Sequence, residues 1–243
     1  MAVKISVIVP AFNEEKVLGA TLAEIKAAAN AFLARGWQFE LIVCDNNSTD
    51  RTADIARAAG ARVIFEPVNQ ISRARNAGAS IATGDWLVFV DADSHPGEKL
   101  FADVATQIAS GKTLAGGVVV RMDETNLTTQ LLTQVWTCIS RWGKLMAGSF
   151  IFVEAAAFRQ IGGFSREMYS GEEIDLSQRL KKLGRQQGRK LVILHRHPLK
   201  TSARKLKLYS SREILAFFVR AIFNRRRMLT SRDAAFMWYD GRR

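Results

Sequence analysis

Cysteine is scarce, with two in 243 residues. Cys44 falls in an expected strand and Cys138 in an expected helix, so neither a disulfide framework nor a thiolate zinc site can be assembled. Long apolar runs are missing too. Nowhere do ~18 consecutive apolar residues occur, which excludes an obvious membrane span. No apolar h-region follows Met1; Lys4–Pro10 reads as a strand, too short and too early for a signal peptide. Together these absences point to a reduced, cytoplasmic setting. Low-complexity linkers are also absent, so one fold with two halves is expected rather than separate domains.

Acidic residues are nearly lacking at one end. Residues 1–178 hold 16 Lys/Arg and 20 Asp/Glu, a balance of −4, whereas residues 179–243 hold 19 Lys/Arg and 3 Asp/Glu, a balance of +16. An acidic front and a basic back imply two tasks, chemistry and contact with something anionic. The apolar stretch Ile214–Phe223 is surrounded by Arg204, Lys205, Lys207, Arg212, Arg220 and Arg225–Arg227. Such a basic amphipathic helix docks on the core or lies at an anionic membrane surface. Nucleic acid is a third, disfavoured partner, since positive charge alone does not separate phosphodiester from lipid headgroup.

What is present is a regular alternation. Lys4–Pro10, Phe39–Cys44, Arg62–Glu66 and Trp86–Val90 read as buried strands, the first stopped by its proline. Helices are expected between them: one from an Asn13 N-cap to about Arg35, one from Ser48 or Thr49 to Ala59, and Ser72–Ala82. Strand–helix alternation with short connections predicts an α/β, doubly wound, mainly parallel sheet flanked by helices. Beyond Asp93 the rhythm loosens. Helices are expected over Glu98–Ala109, Leu127–Lys144 and Glu172–Leu183, with strands at Gly117–Arg121, Phe150–Val153 and Leu191–Leu194. The expected organisation is a 1–200 unit (1–93 and 94–200 as its halves) and a basic helical tail over 201–243.

Trp86–Val90 ends abruptly in Asp91 and Asp93. In an extended chain the two carboxylates would share a side, and carboxyl ends of strands are where open α/β sheets bind ligands. Two carboxylates there, without a local base, suit a hard divalent cation carrying phosphate oxygens. An isolated Asp-x-Asp can equally be an acidic turn, and Asp45 an Asx-turn before Thr49. Glu172 and Glu173, in the first turn of a helix, would be kept ionised by its dipole, as a base for a hydroxyl requires.

Six motifs in order, Val9-Pro10-Ala11-Phe12-Asn13-Glu14-Glu15, Val43-Cys44-Asp45-Asn46-Asn47-Ser48-Thr49-Asp50, Ala74-Arg75-Asn76-Ala77-Gly78, Asp91-Ala92-Asp93, Gly162-Gly163-Phe164 and Glu172-Glu173-Ile174-Asp175-Leu176, resemble the inverting glycosyltransferase family 2 with the GT-A fold. The resemblance covers roughly residues 4–200. It implies transfer of a single sugar from a UDP- or GDP-linked donor to a hydroxyl acceptor, lipid-linked or on a cell-envelope glycan, with Mn²⁺ or Mg²⁺ as cofactor. Pro10, Ala11, Phe12, Glu14 and Asp45 would hold base and ribose, Arg75 the diphosphate and Asp91 the ribose. Asp93 would ligate the metal with His195, for which His197 competes. Glu173, beside Glu172, matches the family's base, although the family usually carries Glu-Asp there. The Gln-x-x-Arg-Trp motif of processive members is absent after Glu173, which favours single additions. Peripheral attachment at the inner membrane face is expected of the tail.

Two other readings compete. A sugar-nucleotide pyrophosphorylase would open on a Gly-rich, Arg-containing loop after the first strand, which this chain lacks. A catalytically silent protein docking on membrane or nucleic acid through its tail would have no use for the acidic pairs.

Overall fold

The computed structural model describes residues 2–122, 137–202 and the single positions 134, 230 and 231. Eight strands, β1 (Lys4–Ala11), β2 (Gln38–Asp45), β3 (Arg62–Phe65), β4 (Trp86–Val90), β5 (Ser94–His95), β6 (Thr113–Met122), β7 (Phe150–Glu154) and β8 (Lys190–Thr201), form one sheet in the order β3-β2-β1-β4-β7-β6-β8-β5. The β3-β2-β1-β4 half is parallel throughout. β7 then inserts antiparallel between β4 and β6, and β5 pairs antiparallel with the end of β8. The loosened rhythm after Asp93 marks this change of strand direction.

Both sheet faces are covered, as alternation within the buried strands requires. Ile5, Val7 and Val9 of β1, with Trp86, Val88 and Val90 of β4, face a core made with α1 (Leu18–Ala28), α2 (Asn30–Leu33) and α5 (Glu98–Ala109). Ile8, Leu87 and Phe89 face the opposite core, shared with α4 (Ile71–Ile81), α6 (Ala155–Gln160) and α7 (Glu172–Gln186). The remaining helix of the parallel half, α3, spans Thr52–Ala58. Gly78 brings α4 down on β1: a Cβ there would stand 2.4 Å from Ile8 Cγ2.

Several local expectations are corrected. Pro10 does not end β1 but lies inside it, paired with Cys44. The ladder to β4 stops at Ile8–Phe89, so the missing N–H sits where one neighbour has already left. Asn13 is not an N-cap: it adopts a positive φ of 52°, and α1 begins only after Val17. Asp91 and Asp93 do not continue an extended strand; Ser94 N donates to Asp91 O at 3.1 Å and closes a tight turn. β8 continues past Leu194 to Thr201. Its pairing jumps from Val118–Leu194 to Val120–Leu199, which leaves His195–Pro198 in an irregular stretch rather than at a strand end. Of the helix expected over Leu127–Lys144, residues 137–143 are helical and most of the rest lies outside the described residues, as does nearly all of the 201–243 tail.

Candidate active site

The carboxyl ends of β1 and β2 lie side by side, with Ala11 paired to Asp45. The loops that follow are laced together by side chains. Asn13 N donates to Ser48 Oγ (3.0 Å), Thr49 N to Asn13 Oδ1 (2.8 Å), Glu14 N to Thr52 Oγ1 (2.9 Å) and Glu15 N to Asp50 Oδ2 (3.1 Å). Glu14 and Asp45 are thereby buried, as is Ala11, while Phe12 is half-buried. Asp45 Oδ1 accepts from Ser48 N at 3.0 Å, so the Asx-turn is present, at the position where the strand end also offers a carboxylate to a ligand. Asn13 trades helix-capping for bridging these loops.

One further strand along, β4 delivers Asp91 and Asp93. Adjacent strands stand about 4.8 Å apart, so Asp45 and Asp91, two strands removed, are on the order of 10 Å apart along the sheet edge. Asp93 is buried in the turn, and Thr21 Oγ1 fixes that turn by donating to Ala92 O at 2.7 Å.

Arg75 is the centre of a second cluster of charged side chains. Its side chain is 2% exposed, yet it carries a full charge. Nη1 donates to Glu172 Oε1 at 2.7 Å, and Nη2 to Asp91 Oδ1 at 3.1 Å and to Gly148 O at 2.8 Å. The guanidinium also sits 5.2 Å from the Phe164 ring centroid. Burial works against its charge, but Asp91, Glu172 and Glu173 outweigh burial and hold it more firmly protonated than usual. Arg75 therefore joins α4, the end of β4 and the start of α7. Arg75, expected at the diphosphate, here clamps two carboxylates, and its Nε has no partner among the described residues.

Glu172 is buried against this clamp and Glu173 is half-buried beside it. Burial, then the neighbouring Glu172 charge, pushes the Glu173 carboxyl up to about 8; Arg75 opposes the rise without cancelling it. The expectation that the helix dipole keeps this group ionised is corrected, because a dipole worth up to ~2 kcal/mol is outweighed by burial next to a like charge. A carboxyl tuned close to neutrality suits general-base work.

The first turn of α7 is anchored through Ser177, whose Oγ donates to Glu173 O (2.7 Å) and accepts from Met146 N (3.0 Å). Gly148 lines the site: a Cβ there would meet Arg75 Nη2 at 3.2 Å and Glu173 Cδ at 3.7 Å. Gly162 and Gly163 have another task. Both have positive φ, and Asn76 grips the following residue, donating to Phe164 O at 2.8 Å and accepting from Phe164 N at 3.0 Å. This places Phe164 under Arg75.

Arg75, Asp91, Glu172 and Glu173 thus converge, and Pro10, Ala11, Phe12, Glu14 and Asp45 line the adjoining strand ends. His195 does not join them by any contact; it is exposed in the irregular part of β8, while His197 Nδ1 lies 2.9 Å from Asp103 Oδ2. Among the described residues, no group of three or more His, Cys, Asp or Glu stands ready to hold a metal. Gln70, which belongs to none of the six motifs, also contributes. Its buried amide donates to Arg166 O and Met168 O, and its N–H to Asn46 Oδ1, tying the loop after β2 to the one before α7. Nothing in its local sequence signals that role.

The glycosyl transferase family 2 model matches residues 6–168, more than half of the chain. A probable glycosyltransferase, YdaM, from Bacillus subtilis is 29% identical over 204 residues, covering 74% of this chain and 47% of that protein. An uncharacterized glycosyltransferase of Mycobacterium tuberculosis is 39% identical over 89 residues, 37% of this chain and 36% of its own length. The chain thus spans about half, or less, of these relatives. The fold matches the Pyrobaculum calidifontis mannosyltransferase PcManGT, solved with GDP-Man and Mn²⁺, at TM-score 0.63 and 18% identity over 82% of this chain and 57% of that one. It also matches glucosyl-3-phosphoglycerate synthase from Mycobacterium tuberculosis, solved with Mn²⁺, UDP-Glc and phosphoglyceric acid, at TM-score 0.62 and 20% identity over 85% and 74%. The sheet is that of GT-A glycosyltransferases, and the chain belongs to glycosyl transferase family 2.

Proposed function

We propose that this protein is a metal-dependent, inverting glycosyltransferase that moves one sugar from a nucleoside-diphosphate donor to a hydroxyl acceptor. The observation that carries the reading is the convergence, at the carboxyl end of β4, of Arg75 with Asp91 and Glu172, with Glu173 beside them across Gly148.

In this reading the 1–93 half binds the nucleotide. Asp45 accepts from a base N–H, the Pro10–Glu14 loop flanks the base and ribose, and Asp91 meets the ribose. Asp93 would hold the divalent cation. The donor set is oxygen-based, which fits Mn²⁺ or Mg²⁺, and such ions need only one or two carboxylates when substrate phosphates complete the shell. When bound, the cation would neutralise charge growing on the leaving diphosphate. His195 is the weaker ligand candidate because it is exposed in an irregular stretch.

Glu173 takes the proton of the acceptor hydroxyl as its oxygen attacks the anomeric carbon from the face opposite the diphosphate. The sugar–oxygen bond to the diphosphate breaks, and the configuration inverts. Arg75 keeps Glu172 paired, and Gly148 leaves room for the acceptor beside both. Lipid-linked acceptors and a peripheral membrane site fit the basic tail. Among the described residues no helix is long and apolar enough to cross a membrane.

The test is Asp93→Ala: transfer and cation-dependent UDP or GDP binding should vanish while the fold, read by circular dichroism, is retained. Unchanged turnover would remove the metal role.

A further inference from the structure

Five large apolar side chains are markedly exposed among the described residues, and Trp142, at 94%, is the most exposed of them. Ile139, 49% exposed, lies three residues earlier on the same short helix, so the two share a face. Among the described residues none encloses the Trp142 ring.

Cations crowd the same place. Lys181 Nζ donates to Gly143 O, the carbonyl next to Trp142. Lys181 is held below its ordinary range by burial, then by Arg185 and Lys144, so both of those cations lie within electrostatic reach of it. None of the three forms an ion pair with an acidic side chain among the described residues; the acids of α7 lie in its first turn, and Asp175 is engaged with Arg179. Like charges gathered without acids are unfavourable unless an anionic partner supplies the counter-charge. A bared indole beside a group of Lys and Arg is the composition of a bilayer interface, where the ring sits at headgroup level and the cations meet lipid phosphates.

We propose that the face formed by Ile139, Trp142, Lys144, Lys181 and Arg185 docks on the surface of an anionic phospholipid bilayer. Its residues lie outside the basic 201–243 segment in sequence. It lies next to the catalytic cleft: residues 145–148 lead from it to Met146 N on Ser177 and Gly148 O on Arg75.

The 243-residue chain is mixed with phosphatidylglycerol-containing or pure phosphatidylcholine vesicles, and binding is followed by co-sedimentation. Lys144→Glu/Lys181→Glu/Arg185→Glu should weaken binding to the anionic vesicles on the order of 100-fold, tail intact, at about a factor of five for each basic residue lost near the surface. Trp142→Phe separates this contact from the tail: brominated phosphatidylglycerol should quench a component of the tryptophan emission that this variant lacks. Trp142→Ser, at an exposed position, guards against misfolding of the triple variant and should weaken binding by itself. Equal affinity of all variants, equal quenching with and without Trp142, or equal binding to phosphatidylcholine would each overturn the proposal. Saturable binding of an acidic protein with no vesicle binding would overturn it in favour of a protein partner. Because the readout is vesicle binding, failure here leaves the glycosyl-transfer reading intact.

Discussion

Replacing Glu173 by glutamine should change how stability depends on pH. The folded protein holds the Glu173 proton up to about 8, whereas an unfolded glutamate releases it near 4.5. Between those values the folded state binds more protons than the unfolded one, so stability must fall as pH rises. Below about pH 4.5 the group costs nothing, and above about pH 8 the full penalty is in place. At about 1.4 kcal/mol for each tenfold change in proton affinity, the ceiling is about 5 kcal/mol. Glu173 is only half-buried and shares its surroundings with Glu172, so water screening and coupling reduce this to roughly 2–4 kcal/mol. Glutamine keeps the shape and never ionises. Urea unfolding of both proteins near pH 5 and near pH 9 should therefore show the glutamine variant gaining roughly 2–4 kcal/mol on the wild type as pH rises. The other shifted carboxylates, Glu40 and Asp50, are common to both proteins and cancel. A wild-type-to-variant gap that stays constant within about 0.5 kcal/mol across this range would refute the placement of half-buried Glu173 against the like-charged, buried Glu172 at the start of α7.

Further outcomes follow from the same geometry. The pH profile of acceptor kcat/KM should rise along one ionisation near 8 in the wild type, and the residual rate of Glu173→Asp should follow a shifted profile. Arg75→Met strands the buried Glu172 and the half-buried Asp91 without their cation and should cost about 3–5 kcal/mol in chemical denaturation. It should also raise the Glu173 pKa further, because Arg75 now lowers it. Gly163→Ala should cost about 1–3 kcal/mol, because φ is +70° and a Cβ would stand 2.6 Å from Asn76 Oδ1. Asn76→Ala, which releases Phe164 from both hydrogen bonds, should lose about 1–3 kcal/mol and weaken acceptor turnover more than donor binding.

The parallel half was legible because its information is local. β4 is a five-residue buried run whose predicted bounds, Trp86–Val90, match, and Glu98–Ala109 forms the predicted helix. Pairings that join distant segments were not legible. β5 is two residues long and exists only because Ser94 and His95 meet Thr201 and Lys200, more than a hundred residues later. β8 was cut short at Leu194 because His195–Pro198 breaks the apolar pattern, and the structure accommodates that break as a register jump. The site shows the same division. Which residues carry charge could be read from the motifs, but their pairing could not. Arg75 meets Glu172 across 97 positions, a pairing that no local pattern announces. Glu173 was placed correctly in the first turn of α7, yet its protonation depends on burial and on Glu172, quantities that no helix-dipole argument contains.

Donor binding tests the central claim most directly. UDP- and GDP-sugars are offered to the wild type and to Asp93→Ala, with and without Mn²⁺, and thermal unfolding is recorded. A ligand held only by the folded state at a hundredfold excess over its Kd contributes about 2.7 kcal/mol, which for a chain of this size raises Tm by roughly 5–10 °C. At least one donor should produce such a rise in the wild type with Mn²⁺, and the rise should disappear in Asp93→Ala. Unfolding temperatures that no nucleotide sugar moves, with or without the cation, would contradict the account.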